Sequence, residues 1–80
     1  EPTMTRQAIR LAVELMDIAH QRQIEENFIV FAGKQWIDGE FSQAMAEGHP
    51  AFTDLMMELL DSHEAHDIYD TLNLLEGSSN

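Results

Sequence analysis

The apolar residues between Thr5 and Ala32 constrain this chain more than anything else in it. Set on a 3.6-residue helix, Met4, Ala8, Leu11, Leu15, Ile18 and Ala19 gather on one side, while Ile9, Val13, Met16, Ile24 and Phe31 gather nearly opposite. A narrow polar strip of Gln7, Arg10, Glu14, Asp17 and Gln21 is all that separates them. A surface helix needs one apolar face, so two flanks imply neighbours on both sides. The spacing predicts one long helix over residues 3–32, with one flank packed on later helices of the same chain and the other on a second copy. Thr5 suits an N-cap after Pro2, and Gly33 suits the C′ position, with Lys34 beside the negative helix end. The weak place is the polar run from His20 to Gln23, followed by Glu25, Glu26 and Asn27, where a kink or an exposed segment fits.

Beyond Gly33 the pattern predicts shorter elements. Trp36, Ile37 and Phe41 form a packed corner, in which Trp36 either closes the end of the bundle or presents an aromatic anchor to a partner. Asp38 suits the N-cap of a short helix over residues 39–47, ended by Gly48. Pro50 suits the first turn of a helix over residues 50–61, whose face of Phe52, Leu55, Met56, Leu59 and Leu60 opposes an acidic stripe of Asp54, Glu58 and Asp61. Past Ser62 the apolar set of Ala65, Ile68, Tyr69, Leu72 and Leu75 falls on the side those acids would occupy in a straight helix. A break near Asp61 to His63 is therefore predicted, with Asp61 or Ser62 capping a last helix over residues 62–76 and a frayed tail over 77–80. No period-two strand pattern is present. The expected fold is all-α: one domain, a small helical bundle built on the long first helix and completed by homodimerisation through Ile9, Val13, Met16, Ile24, Phe28 and Phe31.

Composition narrows the function. Eighty residues bury a smaller fraction of their surface than a larger domain does, which adds to the reasons for association. The net charge of −11 is unevenly spread: residues 1–34 hold all four basic residues against five acids, and residues 35–80 hold ten acids with no Lys or Arg. Such a field repels phosphate backbones and lipid headgroups and steers basic partners. Direct nucleic-acid and membrane binding are not expected. The longest apolar run, Phe28 to Ala32, is far short of the roughly 20 residues that span a bilayer. With no cysteine there is neither a disulfide nor a thiolate site, and the expected compartment is the cytoplasm.

The chain lacks the constellations that carry chemistry. None of Ser42, Ser62, Ser78 and Ser79 sits in a strand-turn-helix elbow, and Gly33-Lys34 lacks the rest of a phosphate-binding loop. His63 and His66, at i and i+3 among Asp61, Glu64, Asp67 and Asp70, have neither the spacing of zinc hydrolases nor that of a di-metal bundle. No catalytic residue, metal site or cofactor is expected. The leading expectation is an acidic protein-binding module, an inhibitor, adaptor or chaperone, that occupies a basic surface of another protein. Its candidate contact residues are Trp36, Asp54, Glu58, Asp61, Glu64, Asp67 and Asp70. Three other readings remain open: a DNA mimic whose carboxylates imitate phosphates, a metal-binding protein using His63 and His66, and an accessory subunit docked through the first helix.

Overall fold

The computed structural model describes residues 6–78, and these fold into five helices with no strand. They are α1 (Arg6–Arg22), α2 (Glu26–Ile37), α3 (Gln43–Gly48), α4 (Pro50–Ser62) and α5 (Ala65–Ser78). The body measures 39 × 25 × 25 Å. The expected N-cap Thr5 with Pro2 before it, the apolar Met4, and Ser79 and Asn80 of the expected tail lie outside the described residues.

The single helix expected over residues 3–32 is two helices. Gln23 adopts a left-handed backbone, φ 58°. Its N–H donates to the His20 carbonyl at 3.3 Å and the Ile24 N–H to the Ala19 carbonyl at 2.9 Å. This pair of bonds is a Schellman motif, which satisfies two carbonyls at the end of α1 and turns the chain into α2. The polar run marked the place, but the reason for the break is the turn itself, and Ile24 beyond it packs against the core.

Gly33 does not end a helix. It lies buried inside α2, where a Cβ would stand 2.8 Å from Leu72 Cδ1, so its lack of a side chain sets the approach of α2 to α5. The end of α2 falls at Asp38 and Gly39, and Gly39 has φ 80°. There the Gly39 and Glu40 N–H groups donate to the Trp36 and Gln35 carbonyls at 3.1 and 2.8 Å. Asp38 thus closes α2 instead of opening α3. The N-cap of α3 is Ser42, whose hydroxyl accepts from the Met45 N–H at 3.1 Å, so α3 begins four residues later than expected.

The break before the last helix falls at His63 and Glu64, close to where the change of apolar phase placed it. Asp61 and Ser62 remain inside α4 and cap nothing. The first turn of α5 instead hangs on the Glu64 carbonyl, which accepts from the Asp67 and Ile68 N–H groups, both at 3.1 Å. Gly77 and Ser78, expected in the tail, belong to α5.

The element around which the helices gather is α5 rather than α1. Both α1 and α2 pack along it, and Ile68, Thr71 and Leu72 have no solvent exposure. Burying each such apolar side chain contributes about 1.5–3 kcal/mol. The one polar residue buried as a whole among the described residues, Thr71, donates its hydroxyl to the Asp67 carbonyl at 2.9 Å and lies 3.4 Å from the Ala8 carbonyl of α1. On the far side α4 inserts Phe52, Leu55, Met56 and Leu59 into the same core. The short α3 buries nothing and is tied to α4 through Thr53, whose hydroxyl donates to the Ala46 carbonyl at 2.7 Å.

Candidate protein-docking surface

The first flank of α1 is core: Ala8, Leu11, Leu15 and Ala19 are buried. The second flank divides. Ile9, Val13 and Met16 are 48%, 58% and 39% exposed, and Phe31 of α2 is 64% exposed. Ile24 and Phe28 are instead drawn against the core, because the turn at Gln23 rotates α2 relative to α1. The ring of Phe28 lies 4.6 Å from His49 and 5.1 Å from Phe52.

Trp36 lies among aromatic neighbours. It stacks on Phe41 at 5.5 Å and meets the edge of Phe52 at 6.0 Å, closing the corner where α2, the α2–α3 connection and α4 meet. Aromatic pairs of this kind add about 0.5–1.5 kcal/mol beyond their buried area. Trp36 is therefore partly buried within its own fold.

The six carboxylates singled out in the second half sit on α4, on α5 and at the break between them. Asp54, Glu58, Asp61, Glu64 and Asp70 are exposed and Asp67 is half-buried. Some are already engaged. Glu58 pairs with Arg22 across the α1–α4 edge at 2.9 Å, and the ring nitrogens of His66 lie 3.4 Å from Glu64 Oε1 and 3.1 Å from Asp67 Oδ1. Among the described residues, no three or more His, Asp or Glu side chains gather in a group that could hold a metal ion.

A recess lies between α2 and α5. It is a groove of ≈ 820 Å³ with Phe31 and Tyr69 on its walls and Asp38, Glu40 and Glu76 among its lining residues. Lys34 lies within it, paired with Glu76 and 5.5 Å above the Tyr69 ring. Gln35 also lines it, and its side-chain Oε1 is buried with no hydrogen-bond partner among the described residues. Leaving such an acceptor unpaired costs about 1–3 kcal/mol. None of the six carboxylates named above lines this groove, nor does Trp36. Apart from Phe31, its residues escaped the reading of the sequence. The one signal is the acid pair Asp38 and Glu40 close to Lys34, of which the sequence pattern assigns Asp38 to a cap.

A smaller recess of ≈ 410 Å³ lies where the Gln23 turn meets the α3–α4 corner, lined by Ile24, Phe28, His49 and Phe52. No helix among the described residues is long and apolar enough to cross a membrane. Compared with known proteins, the chain matches no family model, no curated protein and no solved structure.

Proposed function

We propose that this chain is a protein-binding module of the inhibitor or adaptor kind, which receives a basic segment of another protein in the groove between α2 and α5. The observation that carries the reading is the groove's make-up: exposed Phe31 beside Tyr69, with three carboxylates against the single ammonium of Lys34. Aromatic faces attract the guanidinium or ammonium of a bound chain, and Asp38 and Glu40 supply the countercharge. The wider field adds steering. Among the described residues only Glu58 and Glu76, of the ten acids in residues 35–80, pair with an Arg or Lys, which leaves the rest to attract a cationic partner. Binding, not catalysis, is the chemistry this arrangement serves, and self-association through α1 belongs to the same reading.

Calorimetry with a peptide of alternating arginine and leucine tests it. Binding is expected to weaken as salt is raised, and to fall by about tenfold in Phe31→Ser and in the pair Asp38→Lys, Glu40→Lys. A charge-matched change on α4, Asp54→Lys with Asp61→Lys, is expected to leave most of the affinity. Equal loss from both pairs would mean that the peptide reads net charge alone and would sink the groove as the site.

A further inference from the structure

The outward side of α1 carries a second surface that the groove does not use. Ile9, Val13, Met16 and His20 follow one another at steps of four, three and four residues, and all four are exposed. Alternating steps of four and three are the seam of a coiled coil, with Ile9 and Met16 at d positions and Val13 and His20 at a positions. The residue after each d, the e position, is Arg10 in one case and Asp17 in the other. The residue before each a, the g position, is Ala12 and Ala19, and both are buried in the protein's own core.

We infer that the seam receives the same seam of a second copy, with the two α1 helices antiparallel and Arg10 of each copy facing Asp17 of the other. The charges decide the orientation. In a parallel pair each e row faces the partner's g row, which here is alanine, so Arg10 and Asp17 gain nothing. Reversing one helix brings e against e. The two-fold axis then makes the opposite-charge pair twice. Arg10 has no ion pair among the described residues, and Asp17 is held by the Gln21 amide alone, at 3.2 Å on the exposed surface. Both are available.

Charge also selects this face over the others. A chain of net charge −11 repels its own copy, but α1 carries Arg6, Arg10 and Arg22 against Glu14 and Asp17, the only helix of the five in which basic residues outnumber acids. Pairing through α1 brings together the parts that repel least. Three apolar side chains per copy make a patch well below the roughly 800 Å² per partner of a standard interface, so the dimer is expected to dissociate on dilution through the micromolar range.

The inference rests on the self-association part of the proposed function and adds direction and register to it. Sedimentation equilibrium over a dilution series tests both. The unmodified chain is expected to pass from dimer to monomer, and Val13→Asp, at an exposed site, to stay monomeric with its helical circular dichroism unchanged. Arg10→Asp and Asp17→Arg are each expected to raise the dissociation constant by about tenfold, and the double variant to return it to within about twofold of the original. Because the chain has no cysteine, Ile9→Cys mixed with His20→Cys should form an inter-chain disulfide on oxidation, while Ile9→Cys alone should not. A monomer at every concentration overturns self-association and the inference together. A dimer that Val13→Asp dissolves, but in which the double charge swap fails to restore affinity or Ile9→Cys links to itself, retains self-association and overturns the antiparallel pairing.

Discussion

The helices α1 and α2 end in the same pair of hydrogen bonds built around different residues. At the end of α2 the left-handed position holds Gly39, φ 80°, where a glycine is at ease. At the end of α1 it holds Gln23, φ 58°, where a side chain costs about 1–2 kcal/mol. The residue that follows explains why the second arrangement persists. Ile24 packs against the core, whereas Glu40 after Gly39 is exposed. The first turn is thus held by what it delivers to the interior, and the second by the residue that makes it. Meanwhile Gly33, the glycine nearest to a helix end in the apolar pattern, serves packing in mid-helix against Leu72.

Proline breaks this comparison most severely. Gln23→Pro would force φ to about −65° and remove the N–H that reaches the His20 carbonyl, so a loss of about 3 kcal/mol or more is expected in urea unfolding followed by circular dichroism. The other break offers the contrast. Ala65 is the first residue of α5, a position where proline's fixed φ and missing N–H are harmless, and Ala65→Pro should change stability by less than about 0.5 kcal/mol. Similar losses at the two sites would show that the α1 turn owes nothing to its left-handed residue.

The difference between the two breaks also explains what could be read from the residues alone. The buried residues of α4 and of α5 lie on opposite sides of a hypothetical straight helix, so the break at His63 was legible as a change of phase. The buried residues of α1 and of α2 lie on almost the same side of such a helix. Leu11, Leu15 and Ala19 therefore run on into Ile29 and Gly33 with no visible interruption, and only the polar run beginning at His20 marked the fault. The all-helical fold was legible because period-3.6 spacing is a local property. The α2–α5 groove was not, since it depends on which way α2 faces once Gln23 has turned it. The same reason leaves Trp36 between two roles and puts Phe28 among the residues expected to self-associate: an aromatic residue beside a corner becomes core or surface according to a packing partner, here Phe52, that is distant in sequence.

Overfilling the α2–α5 contact comes next in size. Gly33→Val is expected to cost about 1–3 kcal/mol, because its side chain must displace Leu72, which has no exposed surface to move into. At Gly39 nothing lies within 4 Å of an added Cβ, so Gly39→Ala should cost only the conformational term, about 1 kcal/mol. The reciprocal change sharpens the contrast: Gln23→Gly should raise the unfolding midpoint by the equivalent of about 1 kcal/mol with an unchanged urea dependence. A drop on Gln23→Gly would mean that the glutamine side chain itself contributes to the turn.

The smallest effect concerns the charge at the same two helix ends. Arg22 is the last residue of α1 and pairs with Glu58 at 2.9 Å, with side-chain exposures of 35% and 58%. A pair this accessible is screened by water and salt, so a double-mutant cycle of Arg22→Gln and Glu58→Gln should give a coupling of only about 0.2–0.5 kcal/mol, fading in 1 M salt. The two single losses should nevertheless differ. Arg22 also faces the negative end of α1, a separate attraction of about 0.3–1 kcal/mol that survives when Glu58 is neutralised. Arg22→Gln should therefore cost more than Glu58→Gln at low salt. Equal costs would place the whole contribution of Arg22 in the bridge and none in the helix end, leaving the α1 turn to be held by Ile24 and its two backbone hydrogen bonds.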